Sequence, residues 1–196
     1  MVNNTELIIP LLVFDGNDTF YHLQILKRKK EHPELGSNSM VIKTYYISSI
    51  EYLHKKLDEI ILLCNYHSAR ACINLNRRSY ERLAYHTLRK VTDQLLNKDY
   101  RSVRKAYESV CGAHSSETNK KWILDIDDPL DTKESATNVL DIAYKLTSVD
   151  PTGDKIITVL PTKNGYHIIT KPFNIQAAGL TKIDIHKDNP TILYIP

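Results

Sequence analysis

Hydrophobic and polar positions along the chain divide it into two differently built parts. In the first, Glu6–Phe14 is a nearly continuous apolar run ending at the turn signal Asp15-Gly16-Asn17-Asp18, and it reads as a strand. Thr19–Lys30 reads as a second strand leading into a basic tip, Lys27-Arg-Lys-Lys30, and residues 31–39 read as a loop holding Pro33 and Gly36. Met40–Ile47 is β-rich. Ser48 and Glu51 have capping-box spacing, and Ile50, Leu53, Leu57, Ile60, Ile61 and Cys64 follow at helical spacing. A short strand, residues 70–76, completes a β-α-β unit.

Residues 79–97 predict a helix with Tyr80, Leu83, Ala84, Thr87, Leu88, Val91 and Leu95 inward, and residues 99–110 predict a second. Gly112–Asn119 is small and polar, as a linker is. Beyond it the pattern changes. Lys121–Asp127 predicts a strand, with Pro129 and Asp131 preceding a helix over 133–146 that buries Ala136, Val139, Leu140, Ala143 and Leu146. Lys155–Leu160 and Tyr166–Thr170 predict a hairpin across residues 161–165, and residues 181–186 and 191–195 predict another across Lys187-Asp188-Asn189-Pro190. The fold class expected is α+β, with an N-terminal α/β module at residues 1–120 and a sheet module with one helical layer at 121–196.

Composition adds little to this outline, but charge distribution adds something. The chain has 196 residues, is 42% hydrophobic and carries a net charge of +3, which suits a globular protein with a real core. Residues 1–120 carry 18 Lys and Arg against 13 Asp and Glu, whereas residues 121–196 carry 8 against 10. A basic surface for polyanions beside an acidic cluster for cations would produce this division. The three cysteines form no Cys-x-x-Cys pair, so a reducing compartment is expected, with neither a disulfide scaffold nor a structural zinc site. The first apolar run is too short to span a bilayer and has no basic leader, so neither a membrane anchor nor a signal is read there.

The candidate chemistry lies on one strand face. Along Trp122-Ile-Leu-Asp-Ile-Asp-Asp128, alternation sends Trp122, Leu124 and Ile126 to one side and Ile123, Asp125 and Asp127 to the other. Two carboxylates two strand rises apart, roughly 6.6 Å, can share divalent ions. The competing reading has Asp127, Asp128 and Asp131 ending the strand and capping the next helix. The same alternation places His167 and Asp184 where they could share that face, with Lys163 and Lys171 flanking the histidine. Such a set suits Mg2+ or Mn2+ and a triphosphate. Arg77, Arg78, Arg82 and Arg89, on or beside the helix over 79–97, are the candidates for contacts to nucleic-acid phosphates, though a plain solvated face would look the same.

These residues resemble the motifs of the archaeo-eukaryotic primase (primase-polymerase) superfamily. Ile123-Leu-Asp125-Ile-Asp127 is similar to its Asp-x-Asp strand. Thr162-Lys-Asn-Gly165-Tyr-His167 is similar to its second motif, a small hydroxyl residue, a glycine and a histidine entering a strand. Ile183-Asp184-Ile-His186, with Ile195-Pro196 after it, is similar to the third. The resemblance covers residues 121–196. It implies a C-terminal sheet like an RNA-recognition module, two metal ions on Asp125, Asp127 and Asp184, and His167 against the phosphates of an incoming nucleoside triphosphate. It also implies a single-stranded nucleic-acid template, a separate helicase as partner, and a place in the cytoplasm of a bacterial or phage-infected cell. Two other readings stay open. One is a catalytically inactive single-stranded nucleic-acid-binding protein of the same fold, with some of the 12 tyrosines stacking on bases. The other is a haloacid-dehalogenase-type phosphatase, which also begins with Asp-x-Asp but needs a longer run of β-α units than the residues after Asp127 predict.

Overall fold

A computed structural model describes residues 1–36, 39–127, 133–181 and 183–196, with residues 133–137 described by their backbone only. Among the described residues the architecture is mixed α and β, with two antiparallel sheets. The first sheet has the order β1 (Val2–Asn3), β10 (Pro190–Ile195), β4 (Arg70–Asn74), β2 (Thr19–Lys27), β3 (Met40–Ile47), and β5 (Arg78–Ser79) pairs beside β2. Alternation along β2 turns Tyr21, Leu23 and Ile25 inward onto Tyr45, Ile47, Ala71 and Ile73, all buried. Because β3 and β4 both run antiparallel to β2, they are parallel to each other, and helix α2 (Ile50–His67) joins them in a split β-α-β unit. Ser49, one residue after the expected capping serine, caps α2 by accepting from the Tyr52 N–H at 3.0 Å. The helix then lays Leu53, Ile60 and Cys64 on the core.

The second sheet has the order β7 (Ile156–Pro161), β8 (Tyr166–Thr170), β6 (Trp122–Ile126), β9 (Asp184–His186). In chain order its elements run β6, α5 (Lys133–Thr147), β7, β8, α6 (Ile175–Ala178), β9. The β7–β8 hairpin is as expected. One face of this sheet presents Leu124, Ile126, Tyr166 and Ile168 to Ile142 and Leu146 of α5. On the opposite face Ile123, Leu160 and Ile169 join the core of the first sheet. That second face therefore docks through its apolar part and leaves its polar part for a site.

Several expectations are corrected. Residues 6–14 form no strand. The Asn3 side chain accepts from Thr5, the short helix α1 (Thr5–Ile8) starts there, and Pro10 lies in a 3-10 turn over Ile9–Leu11, because proline cannot donate to a strand ladder. β9 and β10 are not a hairpin: β9 pairs with β6, and β10 crosses back to lie between β1 and β4. In helix α3 (Tyr80–Leu96) only Leu83 is buried, while Leu88 and Leu95 face solvent, since α3 packs chiefly on α4 (Ala106–Ala113) and at its first turn on Phe20. Leu140 of α5 is also exposed. The turn read at Pro129 and Asp131 and the side chain of Ala136 lie outside the described residues. No helix among the described residues is long and apolar enough to cross a membrane.

Candidate active site

The site begins with register. Asp125 on β6 is paired directly with His167 on β8 and with Asp184 on β9. Directly opposed residues of antiparallel strands share a face, with Cβ atoms about 5 Å apart. Asp184, Asp125 and His167 therefore form a row across three strands, and Asp127, one residue past the end of β6, lines the same cavity. The His167 ring is fixed at both nitrogens. Its Nε2 lies 3.3 Å from Asp125 Oδ1, and its Nδ1 lies 2.8 Å from the Thr191 hydroxyl on β10. The hydrogen bond from His167 holds the Asp125 carboxyl below the usual carboxylate range, against a smaller opposing effect of burial.

This row lines a cavity of about 720 Å³ between the two sheets, the size of a small-molecule site. Asp125, Asp127 and Asp184 form its acidic wall from the second sheet, with His186 beside them. Facing them are Arg28 and Lys30 beyond β2, Arg70 on β4, and Lys163 in the β7–β8 turn. Leu26, Cys72, Ile123 and Ile192 supply an apolar floor. Burial pushes the Cys72 thiol up to about 11, so it lines the cavity as a neutral group. The polar wall and apolar floor suit a ligand with a charged end and a flat apolar end.

Gly165 has a second task beyond its turn. The turn itself is closed by Thr162, whose hydroxyl accepts from the Gly165 N–H at 3.1 Å and whose N–H donates to the Gly165 carbonyl at 2.8 Å. A Cβ at residue 165 would lie 1.9 Å from the Ile126 carbonyl oxygen and 3.0 Å from Asp127 Cα. Only glycine allows the turn to rest on the end of β6, where the second carboxylate is presented.

The other predicted residues separate. Lys163 lines the cavity and pairs with Glu31 at 3.5 Å. Lys171 does not; four residues beyond His167, it is about 13 Å further along the strand and lines a different cavity with Lys120, Lys121 and Phe173. The arginines form no common binding face. Arg78 is fully buried, donating to the Cys111 and Asn76 carbonyls and to Asp188, so it cannot reach a template phosphate. Arg77 is held by Glu117 and Asp15. Arg82 and Arg89 are exposed on α3 but do not line the cavity. Arg28, Lys30 and Arg70 join the site without being expected from the sequence, although the first two belong to a basic tip visible there. Arg70 and Thr191 carry no local signal, because only the sheet pairing brings them in.

Carboxylate oxygens are the donors Mg2+ and Mn2+ prefer, and the three carboxylates expected from the sequence, Asp125, Asp127 and Asp184, line this cavity. Among the described residues no three His, Cys, Asp or Glu side chains stand close enough together to hold one ion. Comparison with family models, with curated proteins and with solved structures finds no match for this chain.

Proposed function

We propose that the chain is a nucleotidyltransferase of primase-polymerase type, joining nucleotides on a single-stranded nucleic-acid template. The observation that carries this reading is the row Asp184, Asp125, His167 facing a cavity with a basic opposite wall. The strand order β7-β8-β6-β9, with a helix before and after the central hairpin, supports it as the order of an RNA-recognition-type sheet.

In this reading Asp125, Asp127 and Asp184, whose side chains would have to draw together from their present positions, would hold Mg2+ or Mn2+, and the ions would neutralise phosphate charge and favour the attacking hydroxyl. His167, steadied by Thr191, donates from Nε2 to a phosphate oxygen of the nucleoside triphosphate once its bond to Asp125 is given up. Lys163 contributes positive charge at the same tail. The apolar floor at Leu26, Cys72 and Ile192 receives the sugar or base and excludes water. A 3′-hydroxyl attacks the α-phosphorus, the α–β phosphoanhydride bond breaks, pyrophosphate leaves with the electron pair, and the hydroxyl proton passes to water.

The pairing of Asp125 with His167 favours one second reading, a strand-binding protein of this fold that does no chemistry. Incorporation of a labelled nucleotide onto a primed single strand in Mn2+ separates the two. The enzyme reading expects incorporation that falls by about 10²-fold or more in the Asp125→Ala/Asp127→Ala protein while strand binding persists. Strand binding without incorporation, with either ion and either sugar, overturns it in favour of the second.

A further inference from the structure

We propose that Arg28, Lys30, Arg70 and Lys163 form a subsite for the polyphosphate tail of the nucleotide, and that Glu31 occupies it until the tail displaces it. The inference rests on the nucleotide reading above and names residues and a competitor that reading does not require. It begins with one oxygen. Glu31 Oε1 contacts Arg70 Nη2 from the first sheet and lies 3.5 Å from Lys163 Nζ in the turn of the second. A single anionic oxygen is thus held between two cations carried by different sheets, as a phosphate oxygen would be.

Arg70 provides the second, independent observation. It is only 5% exposed, lines the cavity, and its Nε–H is buried with no partner. A buried guanidinium donor left unsatisfied is unfavourable, and Glu31 relieves one end of the fork only. An anion with several oxygens could take both. Arg28 and Lys30 are exposed at the rim of the same cavity, and among the described residues neither has a carboxylate within ion-pair distance. This wall therefore carries four cations against one carboxylate.

Glu31 is placed to leave. It sits in a turn whose backbone is tied independently, with the Glu31 and His32 N–H groups donating to the Arg28 carbonyl and His32 Nε2 held by the Ser68 carbonyl. The side chain can swing without unfolding the turn. A nucleotide tail concentrates its charge within one cavity, whereas the phosphates of a strand are spread along it. The clustering of these cations opposite a carboxylate wall favours the tail.

The test is calorimetric titration of the full chain with tripolyphosphate at low ionic strength, alongside a single-stranded oligonucleotide lacking terminal phosphate. Glu31→Gln is expected to bind tripolyphosphate about tenfold tighter, and the exposed pair Arg28→Gln/Lys30→Gln about tenfold more weakly, with oligonucleotide affinity little changed by Glu31→Gln. Should Glu31→Gln fail to fold, the rim pair alone decides. The proposal is overturned if the wild type does not bind tripolyphosphate, if Glu31→Gln binds it no tighter, if the rim pair has no effect, or if Glu31→Gln strengthens only the oligonucleotide. The expected tripolyphosphate pattern without nucleotide incorporation leaves the subsite standing and removes nucleotidyl transfer. Incorporation with an unaltered Glu31→Gln removes the subsite alone.

Discussion

Replacing Gly165 by Ala tests whether the site depends on one backbone contact. A Cβ at this position would stand 1.9 Å from the Ile126 oxygen, where an ordinary carbon–oxygen contact is about 3.3 Å, so one of the two segments must shift by about 1.4 Å. Both are backbone, and no flexible side chain can yield in their place. Forced overpacking of this kind costs about 3 kcal/mol, which in a chain of this size lowers Tm by about 6–12 °C. The shifted segment carries Asp127, a metal ligand in the proposed reaction, and in that reaction misplacing such a group by about 1 Å should cost about 10²-fold in rate. Thermal unfolding and Mn2+-dependent nucleotide incorporation would be measured together. Gly112→Ala is the control, since Gly112 is a helical residue of α4 with nothing within 4 Å of its would-be Cβ, and that change should be neutral or slightly stabilising. A Gly165→Ala protein with the melting temperature and incorporation of the wild type would refute the argument.

The other expectations concern buried charge, one surface carboxylate and the support of the histidine. Arg78→Met, which strands Asp188 and two carbonyls, should cost about 3–5 kcal/mol in urea unfolding, whereas Arg82→Ala and Arg89→Ala should stay within about 0.5 kcal/mol. Glu59, bonded by Lys43, Lys56 and Tyr45, has its carboxyl lowered to about 2. Its contribution to stability is complete above about pH 4.5 and is lost as pH falls toward 2, so Glu59→Gln should flatten the urea midpoint over that window. Thr191→Val removes the bond that fixes His167 Nδ1; it should raise the KM for the nucleotide several-fold and leave strand binding unchanged, and an unchanged KM would show that His167 needs no such support.

What the sequence disclosed depended on how local the cause was. Alternation in Trp122–Ile126 and Tyr166–Thr170 is a property of each strand by itself, so the side that Asp125 and His167 take is legible from the residues alone. Their direct opposition is not, because register is set by the pairing of β6 with β8 and β9. The apolar run of residues 6–14 misleads because burial alone does not distinguish a strand from a short helix, and here Asn3 and Pro10 decide. The arginine stripe misleads for the converse reason. Charge suggests a surface, but Arg78 finds enough acceptors in the interior to be buried whole. Arg70 and Glu31, 39 positions apart, meet only because β4 returns beside β2.

The return of β10 explains why acidic and basic walls can face each other at a fixed separation. After β9 the chain leaves the second sheet and enters the first, so each sheet holds a strand continuous with the other. Two buried asparagines secure the crossing. Asn76 donates to the Lys121 and Lys187 carbonyls and accepts from the Lys121 N–H, binding the start of β6 and the end of β9 to the segment after β4. Asn4 donates to the carbonyls of Pro161 on β7 and Ile192 on β10. Backbone carbonyls and N–H groups in the interior must be paired, and these side chains pair them across the junction where no ladder can run. The sheets are thereby held by directional bonds as well as by the shared core of Ile123, Leu160 and Ile169. A cavity assembled this way has its separation set by the fold itself. A ligand bridging the two walls therefore needs no closure of one sheet on the other, only the displacement of two side-chain pairs, Glu31 from Arg70 and Asp125 from His167.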